Sequence, residues 1–289
     1  MTPFDDLAAF LAARDDNENF VAPEMRSTLL RGTDDRVFVL LHGLTSSPPV
    51  WDAIAAALNE RGATVIALRL PLHGHANRLT AALRAADRTL LKRDLANVLE
   101  RVSALGLPIT LGGHSLGGTL ALYGAAEIAA VERAVAIAPF LGISFLPHET
   151  HALLIPLINA LPNIFLWWDP ILRENQQPSH GYPRYPLHML ATGLEIADEV
   201  YVDAAHKPAA HCIDLVLNNR ETSVNNRAAQ RLATRWRKHG GSVGVHLLDG
   251  LPPSHDVIEP SRPNSTRVRD ALVNLFMDDH ITENRTLIL

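Results

Sequence analysis

Gly113-His114-Ser115-Leu116-Gly117 sets a serine between two glycines, each two positions away. Nucleophilic attack on a carbonyl carbon is the chemistry such a serine could perform, once a base removes its proton. The apolar run Pro-Ile-Thr-Leu-Gly leads straight into the motif, and the small-residue stretch Gly-Gly-Thr-Leu-Ala-Leu-Tyr follows it. That order predicts a strand, a sharp turn and a helix, the arrangement that lifts a serine hydroxyl clear of a sheet. Bulky side chains at 113 and 117 would collide across the turn, and glycine removes them. His114 is expected to pack beneath the turn, because adjacent residues in a tight turn point in different directions.

The serine needs a base within hydrogen-bond reach, and His255 is the candidate. It lies in Asp-Gly-Leu-Pro-Pro-Ser-His-Asp-Val, directly after the strand pattern Ser-Val-Gly-Val-His-Leu-Leu. In a parallel sheet that loop opens at the carboxyl ends of the strands, where ligands bind. Asp256 is a poor partner for it, since neighbouring loop side chains rarely face each other. The preceding strand pattern, Cys-Ile-Asp-Leu-Val-Leu, runs into Asn-Asn-Arg-Glu-Thr-Ser-Val-Asn-Asn, whose one carboxylate is Glu221. Glu221 is therefore assigned to hold the His255 tautomer and to stabilise its imidazolium, with Asp214 and Asp203 as alternatives. The oxyanion formed on attack requires backbone donors. Loop position points to the N–H of Leu116, after the serine, and of Leu44, in the loop after the first long strand.

Fourteen histidines invite a metal reading. His73-x-His75 and His148-x-x-His151 have usable spacings, but no H-E-x-x-H occurs, and no G-x-G-x-x-G opens a first strand–helix turn. The sequence thus leads us to expect neither a metal nor a cofactor.

Positioning these groups requires a sheet. Strands are predicted at Arg36–Leu41, Thr64–Leu70, Pro108–Gly112, Arg133–Ala138, Cys212–Leu217 and Ser242–Leu248. Several are unbroken Val/Ile/Leu runs, as expected of a parallel sheet covered on both faces. Helices are predicted between them at Trp51–Arg61, Arg88–Leu105, Gly117–Ile128 and Asn226–Lys238, with a last one at Thr266–Met277. The alternation indicates an α/β fold with crossover helices. A helix at Pro3–Arg14 is expected to pack outside the core. The domain reading is a leading segment 1–35, a core of 36–140 and 209–289, and an insertion 141–208. That insertion is rich in proline and tyrosine and is expected to form short helices and turns, a cap over the ligand end. Phe140, Phe145, Phe165, Trp167 and Trp168 could line an apolar substrate pocket there.

Composition narrows the classes. In 289 residues, 47% apolar and 20% charged content supports a folded core. A net charge of −5 gives no footprint for nucleic acid. The single cysteine excludes an intrachain disulfide and makes a reducing compartment, hence a cytoplasmic location, the expectation. The acidic start does not read as a signal peptide. Prolines and asparagines interrupt the apolar stretch Leu153–Trp168, so no stable membrane insertion is expected.

Four separated pieces, Leu-Leu-His-Gly-Leu-Thr-Ser-Ser-Pro, Leu70–His75, Gly-His-Ser-Leu-Gly-Gly and the His255 loop, together resemble the α/β-hydrolase superfamily. The likeness is closest to bacterial carboxylesterases and monoacylglycerol lipases. It spans roughly Val37 to Met277. The resemblance implies an α/β-hydrolase fold with a mostly parallel central sheet, helices on both faces and a helical cap. It implies Ser115 as nucleophile, Glu221 as acid, His255 as base, and Leu44 and Leu116 as oxyanion donors. At the acid position that family more often carries aspartate in a loop led by glycine. The implied reaction is hydrolysis of a small-molecule ester through an acyl-enzyme. A small amide or thioester would suit the same machinery, and a non-catalytic binding protein on this fold is the reading from another class.

Overall fold

Unbroken apolar runs become strands here because helices cover both faces of the sheet. The computed structural model describes residues 2–18, 20–175, 178, 180–278 and 284–288. Its strands are β1 (Thr28–Leu30), β2 (Val37–Leu41), β3 (Thr64–Leu68), β4 (Ile109–His114), β5 (Val131–Ile137), β6 (Phe165–Trp167), β7 (Arg184–Pro186), β8 (Cys212–Asn218), β9 (Val243–Asp249) and β10 (Arg285–Ile288). Eight form one sheet in the order β1-β3-β2-β4-β5-β8-β9-β10. β1 is antiparallel to β3, and the remaining neighbours run parallel. The order and direction of the strands agree with the mostly parallel central sheet that the resemblance implies. β1 and β10 are three- and four-residue edge strands, too short to show a period in the sequence.

The helices are α1 (Pro3–Asp16), α2 (Asp52–Glu60), α3 (Arg88–Ser103), α4 (Leu116–Glu127), α5 (His151–Ala160), α6 (His188–Asp203), α7 (Asn226–Lys238) and α8 (Ser265–Met277). Side chains alternate across a strand, and β2 shows the consequence. Val37, Val39 and Leu41 join a core with α3, α4, α6 and α7, while Phe38 and Leu40 join a second core with α2 and α8. In α3 the buried residues Leu91, Leu95, Val98, Leu99 and Val102 recur at helical spacing, and Asp87 caps its start by accepting from the Leu90 N–H at 2.7 Å.

Two expectations change. α1 does not sit outside the core: Leu7 and Leu11, one turn apart, are buried in the first cluster. Behind them Asp15 meets the fully buried Arg69 at 2.8 Å, so the helix is also held by a desolvated ion pair. Within 141–208, where short helices and turns were expected, α6 runs for 16 residues with its apolar face against the core. Met189, Ile196, Ala197 and Val200 supply that face. The aromatic and proline-rich stretch before α6 obscured its periodicity. Among the described residues, no helix is long and apolar enough to cross a membrane.

The chain leaves β2 toward β3 on one side and returns through β4 on the other. That reversal opens a crevice at the carboxyl ends of β2 and β4, the place where open α/β sheets bind ligands. The 43–47 loop and the Ser115 turn flank it.

Candidate active site

Ser115 joins β4 to α4 with φ +55° and ψ −119°, a backbone conformation that costs a non-glycine residue about 1–3 kcal/mol. Surrounding bonds hold it there. Its N–H donates to the Ile137 carbonyl at 3.0 Å, and its carbonyl accepts from Thr119 at 3.0 Å and Phe140 at 3.1 Å. The two glycines are steric requirements of the turn. A Cβ at Gly113 would lie 2.1 Å from the Gly117 carbonyl oxygen, and one at Gly117 would lie 2.1 Å from the Leu41 carbonyl oxygen.

The loops after β8 and β9 bring two more groups to this turn. The Ser115 hydroxyl donates to His255 Nε2 at 2.8 Å, and His255 Nδ1–H donates to Glu221 Oε2 at 3.0 Å. A proton on Nδ1, facing the carboxylate, leaves Nε2 free to accept from the serine. The Glu221 side chain is completely enclosed, whereas that of His255 is 19% exposed. Burial alone would raise the Glu221 carboxyl. The His255 hydrogen bond and charge, together with the N–H groups of Ser223 at 2.7 Å and Thr222 at 2.8 Å, outweigh it and hold the group below its ordinary value. An ionised carboxylate is thereby kept facing the imidazole.

The alternative carboxylates lie elsewhere. Asp214 is buried between Arg133 and His246, each at 2.7 Å. Asp203 ends α6, where burial and Glu127 push its carboxyl up to about 6. Asp256 pairs with Arg262 at 3.0 Å. His114 does lie under the turn, and it also holds the His255 loop: its Nε2 meets the His255 carbonyl at 2.9 Å. Burial and the adjacent His255 ring push it down to about 4, so it is neutral and donates from Nε2.

Leu116 heads α4 and Leu44 follows β2. Among the described residues, neither backbone N–H donates to another backbone carbonyl. The Leu44 carbonyl is pinned by His73 Nε2 at 2.8 Å, and the His73 Nδ1 meets the Pro71 carbonyl at 2.9 Å. His42 Nδ1–H donates to the Gly43 carbonyl at 2.8 Å while Nε2 accepts from the Leu70 N–H at 3.0 Å. The Leu70–His75 piece thus braces the 43–47 loop, and His75 stacks on Phe20 instead of joining His73.

The five aromatic residues have separate placements. Phe140 is buried against Gly193 behind the serine turn. Trp168 lies on Tyr185, and its indole N–H donates to Thr45 Oγ1 at 2.9 Å, which brings it to the 43–47 loop. Phe165 is covered by Arg84 and Arg184, and Trp167 by Arg173 and Arg184. Phe145 is 78% exposed.

Asn218 was missed in the sequence. It ends β8, fully buried, and its amide donates to the carbonyls of Pro252 at 3.2 Å and Ser254 at 2.7 Å, tying the Glu221 loop to the His255 loop. An asparagine closing an apolar strand was the available signal. The brace from His73 to Leu44 had no local signal, since 29 residues separate the partners.

The family model described as alpha/beta hydrolase family matches residues 38–263. No match was found among the curated proteins searched. Among solved structures, a metagenome-derived lipolytic enzyme (LipS or LipT) superimposes with a TM-score of 0.68 at 16% identity, covering 88% of this chain and 98% of that one. The monoacylglycerol lipase of Paleococcus ferrophilus gives 0.66 at 19% identity, covering 86% and 96%. A soluble variant of monoglyceride lipase from Saccharomyces cerevisiae gives 0.66 at 12%, covering 87% and 91%. At these identities the likeness carries the fold.

Proposed function

The chain belongs to the alpha/beta hydrolase family, and from that premise we propose that it is a serine hydrolase cleaving carboxylic esters through an acyl-enzyme. The observation that carries the reading is the continuous relay from the Ser115 hydroxyl to His255 at 2.8 Å and on to Glu221 at 3.0 Å. His255 Nε2 takes the proton as Ser115 Oγ attacks the carbonyl carbon. The N–H groups of Leu44 and Leu116 receive the oxyanion. Collapse of the tetrahedral intermediate expels the alcohol, which takes the proton from His255. Water, deprotonated by the same imidazole, attacks the acyl-enzyme, and Ser115 regains its proton as the acid leaves. Glu221 keeps Nδ1 protonated and offsets the imidazolium charge in both halves of the reaction.

The substrate class rests on two kinds of support. Relatives of the fold include monoacylglycerol lipases, and the 141–208 segment is read as a cap that presents Trp168 beside the 43–47 loop. An apolar acyl group is therefore the favoured acid portion. The test is a fluorophosphonate probe followed by peptide mass spectrometry. A single adduct on Ser115, abolished in His255→Ala, is the expected result. The absence of an adduct on folded wild-type protein overturns the reading.

A further inference from the structure

The turn before α5 and the middle of α6 bring together three side chains that the ester reaction does not use. His148 and His151 stand three residues apart, one helical turn, so both imidazoles face the same way across to Asp198. One ligand atom from each lies within 4.8 Å of the other two. His151 Nδ1 is 2.7 Å from Asp198 Oδ1. His148 Nε2 is 3.1 Å from the same oxygen, a close ion-pair contact whose direction does not meet hydrogen-bond geometry, and among the described residues this buried nitrogen has no well-formed hydrogen bond. A single carboxylate oxygen is thus approached by two imidazoles and satisfies one. The His151 ring is almost wholly enclosed, and among the described residues its own Nε2 is also without a hydrogen-bond partner.

We propose that His148, His151 and Asp198 bind a divalent first-row transition-metal ion, with Zn2+ as the reference case, and that the ion pins the start of α5 to α6. Two imidazoles and a carboxylate are a borderline-soft N/O donor set suited to that class. Bond lengths near 2.0–2.1 Å in a tetrahedron put ligand atoms about 3.3 Å apart. The contacts of 2.7 and 3.1 Å would open by about 0.6 and 0.2 Å, and the two imidazole nitrogens, within 4.8 Å of each other, would draw together around the ion. The fourth position goes to solvent on the partly exposed His148 side. The ring of Tyr201, 3.7 Å from the His148 ring, backs the site and limits rotation of that ligand.

The position gives the ion a task. α5 contains Pro156, and its buried residues are His151 and Ile158, so one of its two anchors is itself a proposed ligand. Upstream, Ser144 bonds to the carbonyls of Thr222 at 2.5 Å and Ser223 at 3.1 Å, whose N–H groups hold Glu221. An ion here would fasten the segment that borders the Glu221 loop without taking part in the chemistry.

The full-length protein, stripped with a chelator, is titrated with Zn2+ against a chromophoric competitor and with Co2+ by visible absorption. The expected result is one equivalent bound, a tetrahedral Co2+ spectrum and a Zn2+-dependent rise in Tm. Asp198→Asn and His151→Gln are expected to weaken binding by about a hundredfold or more, with unchanged circular dichroism. His148→Gln, at the partly exposed position, serves where either variant fails to fold. The absence of Zn2+ uptake by the wild type, or uptake unaltered in the folded variants, overturns the proposal.

Discussion

Ser115, Glu221 and His255 hang from strands whose residues are buried almost throughout, whereas between Leu141 and Leu187 the chain leaves Phe145, Leu153 and Ile171 at 78%, 76% and 89% exposure. The first region is held by ladders of backbone bonds, by two packed helix layers and by buried side chains such as Asn218 and His114. The second is joined to the rest by one small apolar cluster, in which Ile158 and Leu154 meet Phe140 and Leu194, and by discrete polar clasps. Trp168 bonds Thr45, Ser47 bonds the His180 carbonyl at 2.6 Å, and His180 meets Glu259 at 2.9 Å. Reacting groups must be held to within about half an ångström, and only a close-packed scaffold does that. A segment fastened at points has a correspondingly low local stability.

That contrast is sharpest at Glu221. Glu221→Gln keeps the shape but leaves His255 free to take the wrong tautomer, so kcat is expected to fall by about a thousandfold or more, measured on a short-chain ester. A near-normal rate would break the link between the closely packed strand region and the chemistry. The same variant has a pH signature. The folded carboxyl lies below its ordinary value of 4.5, so its contribution to stability is present above that value. It is lost as pH falls through the depressed folded value. The Tm gap between wild type and Glu221→Gln should therefore be constant above pH 4.5 and close below it, as read by thermal melts.

Gly117→Ala comes next. Its Cβ would stand 2.1 Å from a β2 carbonyl that cannot move without breaking the ladder, and a loss of about 3 kcal/mol or more is expected from denaturant melts. Asn218→Ala removes both bonds to the His255 loop, and a roughly tenfold fall in kcat with little change in KM is expected. An equal effect on KM would mean that Asn218 shapes the pocket and not the relay. At the other extreme, Leu153→Ser on the solvent side of α5 should change stability by no more than about 0.5 kcal/mol. A loss as large as that of Gly117→Ala would show that the two regions are equally well packed.

The legible part of this protein lies where physical demands are local. A strained serine turn needs glycine at 113 and 117, and strands covered on both faces need uninterrupted apolar runs, so the elbow and the six long strands could be read directly. β1, β10, α5 and α6 were not. The edge strands are too short for a period, α5 holds a proline, and the cue to α6 was masked by the aromatic stretch preceding it. α1 was read as a helix but not as part of the core, because its burial depends on Leu7 and Leu11 reaching a surface made by distant segments.

Sequence alone therefore determined the family likeness, the order of Ser115, Glu221 and His255 along the chain, and the loops from which each arises. Only the tertiary structure decided that Glu221, and neither Asp214 nor Asp203, faces His255, that Asn218 ties the two loops, and that His73 braces Leu44 and takes no part with His75. It also joined His148 and His151 to Asp198, 47 residues further on. A turn is specified by the residues within it. A hydrogen bond across a sheet is set by register and strand order, which emerge only when the whole core packs.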